Sequence, residues 1–128
     1  TYPGEPVAEL KARVEEVVAG VQTGAHRIEV LYEGFQCEGY ELAHDAPLVQ
    51  GLAAASARVN GAGPPPLFAS TATTDARAFA LYGDTPAVCF GPLAEHEHGV
   101  DERVHVPSIT RTAQALALFI SDWSGLSP

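Results

Sequence analysis

Apolar residues return every third or fourth position at the start of the chain, as Val7, Leu10, Val14, Val17, Val18 and Val21, which is the stripe along one face of an α-helix. Pro6 near the first turn, early acidic residues and Gly20 at the exit bound the stripe, so the pattern predicts an amphipathic helix over 5–20. The period then changes to two. Over 27–34, Ile28, Val30 and Tyr32 alternate with Glu29, Leu31 and Glu33, the pattern of a half-buried strand that continues past a bend at Gly34. A second helical stripe, Leu48, Leu52, Ala55 and Val59, runs from Asp45 and is closed by Asn60 and Gly61. Gly63 and the prolines 64–66 end it. Next come a short strand over 67–70, a helix from Asp75 to Tyr82 stopped by Gly83, and a wholly apolar strand, Ala87 to Phe90. A loop from Gly91 to Pro107 leads to a final helix, with Ser108 as its cap, Ile109, Ala113, Leu116, Phe119 and Ile120 facing inward, and its end at Trp123.

Alternating helices and strands predict an α/β fold, and a loop beyond the carboxyl end of an apolar strand is where open α/β sheets place ligands. The elements are nevertheless too few to close their own layers. Before a seam near 42–47 there is one helix and one strand, and after it three helices flank two short strands. Both parts therefore read as remnants of larger layers whose other strands precede Thr1. The chain contains no Met, so Thr1 reads as a cut end rather than a translation start.

Composition narrows the function classes. A length of 128 residues with 46% apolar content is that of an ordinary folded domain and excludes disorder. Sixteen acidic against seven basic residues, a formal charge of −9, repel phosphate backbones, so nucleic acid is not an expected partner. Apolar runs such as 115–120 are too short to span a bilayer, and no secretory signal opens the chain. A cytoplasmic protein without membrane attachment is expected. Cys37 and Cys89 lie in strand-like segments without CxxC spacing, as reduced, structural thiols of that compartment would.

The run Ala94-Glu95-His96-Glu97-His98-Gly99-Val100-Asp101-Glu102 packs two imidazoles and four carboxylates into nine residues, with a glycine to turn the chain. Imidazole nitrogen and carboxylate oxygen are ligands for a divalent cation such as zinc, and a ligating histidine needs an acceptor on its other nitrogen. On composition alone, a solvated acidic loop explains the same residues equally well.

Thr74-Asp75-Ala76-Arg77, then Gly83-Asp84-Thr85-Pro86-Ala87-Val88-Cys89-Phe90-Gly91-Pro92, then His98-Gly99-Val100-Asp101-Glu102-Arg103-Val104 closely resemble the end of M20 metallopeptidases, which include the acetylornithine deacetylase and succinyl-diaminopimelate desuccinylase group. Order, spacing and the closing helix Thr112 to Trp123 all match. The strong part covers 73–123, and Tyr2-Pro3-Gly4 with the first helix and strand resembles the last portion of that family's inserted lid. The resemblance implies the C-terminal part of a mixed-sheet α/β zinc-hydrolase catalytic domain over 44–128, preceded over 1–43 by the last helix and strand of an α+β lid or dimerisation domain.

It also implies roles for single residues. His98 matches the last metal ligand of a two-zinc site that Co2+ or Mn2+ can also fill, with His96 the runner-up and Asp101 and Glu102 orienting the loop. Arg77 reaches the substrate's free carboxylate, for which a planar fork of donors is suited; a surface ion pair with Asp75 or another acid is its competing role. Gly91, with Thr73, Thr74 and Pro92, shapes the pocket wall, although turn chemistry accounts for these residues as well. His26, His44 and His105 are expected at the surface, and Tyr82 and Trp123 in the core. The other metal ligands and the general-base Glu of the family fall before the lid, so no catalytic residue is expected within this chain. The implied function is that of a C-terminal fragment of a zinc-dependent amidohydrolase acting on N-acyl-amino acid or peptide amide bonds, inactive alone. Its expected partners are that substrate, the missing N-terminal portion of the enzyme and a second copy in a homodimer. The rival expectation is a noncatalytic metal-binding or dimerisation module.

Overall fold

The helix expected at the start of the chain forms as α1, Val7–Val21. A computed structural model describes residues 2–126 apart from 23, 25 and 71; Thr1, and with it the reading of a cut end, lies outside them. The chain divides into two compact units, Thr1–Glu41 and Leu42–Pro128.

In the first unit Pro6 is the N-cap of α1, in extended conformation, where its fixed φ starts the helix without a lost hydrogen bond. The helix runs through Gly20 and stops at Gln22, whose N–H donates to Val18 at 3.0 Å. The apolar stripe is covered only in part: Val7, Val14 and Val18 are half-buried, while Val17 and Val21 are exposed. What covers it includes the segment expected as a strand. There the Tyr32 hydroxyl donates to the Lys11 carbonyl at 3.1 Å, and the Lys11 ammonium lies 4.8 Å from the Tyr32 ring centroid. Desolvation, and secondarily the Glu15 charge, raise the phenol above its ordinary pKa. The expected strand over 27–34 joins no ladder among the described residues; the unit's strand-type pairing is an isolated parallel bridge, Pro3 to Gly39. Alternation gives a segment the right faces, but a strand also needs a neighbour to take its backbone hydrogen bonds.

In the second unit α2, Pro47–Asn60, begins at its proline rather than at Asp45 and ends as expected at Gly61, whose left-handed φ of 62° directs its N–H to the Ala57 carbonyl. Helix α3, Ala76–Gly83, follows, and then a two-residue antiparallel hairpin, β1 Ala94–Glu95 with β2 Arg103–Val104, inside the expected loop. Helix α4, Val106–Trp123, closes the unit. Among the described residues the fold is thus α/β, with four helices and a two-stranded sheet. The expected mixed sheet is not formed among the described residues: 67–70 and 87–90 join no ladder, because no described strand lies beside them.

The core sits between α2 and α4. Val49, Leu52, Ala53, Ala55 and Ser56 are buried on α2, and Ser108 and Ala115, the latter 0% exposed, on α4. Gly51 allows the helices to close up, since a Cβ there would stand 3.1 Å from Phe119 Cε2. Phe119 in turn packs on Trp123, ring centroids 5.3 Å apart, and an exposed Arg58–Asp122 pair at 2.7 Å spans the rim.

The face α4 turns inward shares Phe119 with the expected one and otherwise differs from it. Ser108, Arg111, Thr112, Ala115, Leu118 and Phe119 are buried or half-buried, while Ile109, Ala113, Leu116 and Ile120 are exposed. Both sets have helical spacing, so the helix carries two apolar faces, and α2 covers one of them. Tyr82 at 76% exposure and Trp123 at 58% likewise lie outside the core, because α3 and the end of α4 find no layer above them. The surface is large: 9714 Å² is accessible, where two separately folded units of these sizes would expose roughly 7700 Å². No helix among the described residues is long and apolar enough to cross a membrane.

Candidate functional site

The histidines of the acidic run stand at the tip of the β1–β2 hairpin. Ala94 pairs with Val104 and Glu95 with Arg103, and the Arg103 guanidinium also grips the Glu95 carboxylate, Nε to Oε2 at 2.6 Å. One of the four carboxylates of the run is therefore committed to closing the hairpin. The loop 96–102 turns tightly: the Gly99 N–H donates to the His96 carbonyl at 2.8 Å, and a Cβ at Gly99 would meet that oxygen at 3.0 Å. A side chain at Gly99 would therefore have to push the His96 carbonyl aside by a few tenths of an ångström. His96, His98 and Asp101 adopt left-handed conformations, with φ of 57°, 63° and 65°, a region that costs non-glycine residues energy. Both imidazoles are exposed.

Below the tip, the hairpin is rooted in α4. The His105 N–H donates to the Leu93 carbonyl at 2.9 Å, and the buried Ser108 hydroxyl accepts from the Leu93 N–H at 3.0 Å and donates to the His105 carbonyl at 2.6 Å. Ser108 is therefore not the cap of α4, a position His105 holds, but lies inside its first turn. Sequence reasoning found the residue and misread its partner, because a serine near a helix start gives no sign that its hydroxyl serves a distant strand end.

Arg77 is half-buried in the first turn of α3. Asp75, just before the helix, makes no side-chain cap; instead the Thr74 hydroxyl accepts the Ala76 N–H at 3.3 Å. That same hydroxyl lies 3.5 Å from Cys89 Sγ. This contact ties the turn before Arg77 to the segment that leads to Gly91 and the hairpin. Cys89 is exposed and Cys37 half-buried; Cys89 is no core thiol, since among the described residues no sheet forms to bury it. Gly91 has open space where a Cβ would go and no left-handed φ, so neither turn geometry nor packing within the chain requires a glycine there.

The described residues contain no group of three or more His, Cys, Asp or Glu side chains arranged to hold a metal ion. A two-metal centre needs far more donors than one imidazole. The described residues do not by themselves amount to a metal site.

The family model described as Peptidase family M20/M25/M40 matches residues 3–122. The chain belongs to that family. No curated protein and no solved structure matches it. Membership in peptidase family M20/M25/M40 makes the chain part of a hydrolase group that is generally metal-dependent. The four helices and small sheet are consistent with a fragment of such a domain.

Proposed function

We propose that the chain is the C-terminal segment of a cytoplasmic, zinc-dependent amidohydrolase of the acetylornithine deacetylase and succinyl-diaminopimelate desuccinylase group. It acts on the amide bond of an N-acyl amino acid or small peptide. Residues 1–43 are the end of the lid or dimerisation domain, and 44–128 the end of the catalytic domain. His98 contributes one metal ligand, His96 being the alternative, while Arg77 holds the substrate carboxylate and Gly91 lets the substrate pass close to the backbone. The remaining ligands and the general base come from residues outside the chain, which is inactive alone.

The observation that carries this reading is the family match along 3–122, joined to a hairpin that holds His98 outward at its tip. Three features support it. The exposed second face of α4 and the unpaired apolar segment 87–90 are surfaces that a larger sheet would cover. Among the described residues the donor set falls short of a metal site, as one contributed ligand would leave it. Gly91 is a glycine with no internal reason to be one. The test is metal content and hydrolysis of N-acyl amino acids and dipeptides, measured for this chain and for a longer protein with the preceding region joined to it. Activity confined to the longer protein is the predicted result. Zinc bound stoichiometrically without hydrolysis would instead favour a noncatalytic metal-binding or dimerisation module.

A further inference from the structure

We infer that Ser108 is a positioning residue for the loop that presents His98; the inference rests on the reading that His98 is the functional imidazole. Its hydroxyl, on a residue only 5% exposed, holds both ends of the hairpin at once, accepting from the Leu93 N–H at 3.0 Å and donating to the His105 carbonyl at 2.6 Å. Leu93 directly precedes β1 and His105 directly follows β2. The His105 N–H to Leu93 carbonyl bond of 2.9 Å and the Ser108 N–H to His105 carbonyl bond of 2.8 Å complete the clamp.

The hairpin needs such a clamp. Its ladder is two residues long on each strand, and the Glu95–Arg103 pair beside it is 63% exposed on both sides, a setting in which ion pairs hold little. Yet the tip keeps three non-glycine residues, His96, His98 and Asp101, in left-handed conformation, and such residues persist only where their surroundings over-determine them. The rigid element within reach is α4, packed on α2 through Ala115 and Phe119. Ser108 is the side chain that joins the hairpin to it. A hydroxyl suits the place because it accepts and donates together.

The test compares Ser108→Thr with Ser108→Val in the full chain. The two side chains share one shape and differ in the hydroxyl, so the added bulk in the buried site cancels. Amide hydrogen exchange and backbone chemical shifts are read over 93–105 and, as an internal control of folding, over α2 and the second half of α4. Ser108→Val should accelerate exchange at the Leu93 and His105 amides at least tenfold relative to Ser108→Thr and shift the resonances of 96–102, with the α2 amides equal in both. Equal exchange and equal loop shifts in the two variants would overturn the inference, and so would acceleration spread evenly through α2 and α4. In the longer protein, His98→Ala tests the functional reading separately. Hydrolysis that survives His98→Ala sinks that reading, whereas a Ser108→Val loop that stays ordered sinks only the positioning role.

Discussion

The two faces of α4 give a sharp stability test. Leu52 on α2 is 6% exposed, whereas Ile120 on α4 is 58% exposed. Truncating a buried leucine to alanine removes its transfer free energy and leaves a cavity, together about 2–5 kcal/mol. A fully buried aliphatic side chain is worth about 1.5–3 kcal/mol in transfer, and Ile120 keeps less than half of that burial and leaves no enclosed void. Leu52→Ala should therefore cost this chain about 3 kcal/mol and Ile120→Ala below about 1 kcal/mol. Urea unfolding followed by far-ultraviolet circular dichroism reads both, as midpoint shifts at unchanged slope. In the longer protein the Ile120→Ala cost should rise into the range of Leu52→Ala, because that face is then covered. Equal costs for the two substitutions in the short chain would refute the assignment of an uncovered second face. A cost for Ile120→Ala that stays small in the longer protein would refute its burial against the missing layers.

Gly99→Ala should displace the backbone of the hairpin tip, since its Cβ would stand 3.0 Å from the His96 carbonyl oxygen; shifts of the 96–102 amide resonances, with α2 resonances unmoved, check this. Gly91→Ala should leave the unfolding midpoint within about 0.5 kcal/mol of the parent, as nothing fills the space around it, and should raise KM for the N-acyl substrate in the longer protein. The Tyr32 phenol should titrate above its ordinary pKa of 10.0, because desolvation and the Glu15 charge raise it. A raised pKa means that the neutral phenol's contribution is complete below that ordinary value and is lost as pH climbs through the raised one. The first unit should thus loosen in alkali, and the difference between the tyrosinate absorbance titrations of the parent and Tyr32→Phe should place the Tyr32 step above the ordinary value.

Local signals were readable wherever the chain supplies both partners of an interaction. Gly61 stops α2 because its left-handed φ and the Ala57 carbonyl belong to the same few residues, and Val49, Leu52 and Ala55 find α4 within the unit. Signals that depend on distant partners were misplaced. Ile28, Val30 and Tyr32 alternate as a strand does, and Ala87 to Phe90 is apolar as a central strand is, but neither meets a neighbour among the described residues to complete a ladder. On α4 the stripe Ile109, Leu116, Ile120 is as regular as the one containing Ala115 and Phe119, and spacing alone could not say which faces α2. At the site, the residue run announced a hairpin tip rich in donors, while the commitment of Glu95 to Arg103 and the clamp at Ser108 needed coordinates.

His98 is proposed to belong to a metal centre completed from outside the chain. The most direct test of this is zinc stoichiometry, with N-acyl amino acid hydrolysis alongside, for the longer protein and its His98→Ala variant. The account predicts that the variant loses bound zinc and hydrolysis while keeping the unfolding midpoint of its metal-free parent. Full zinc content and undiminished hydrolysis in His98→Ala would contradict it.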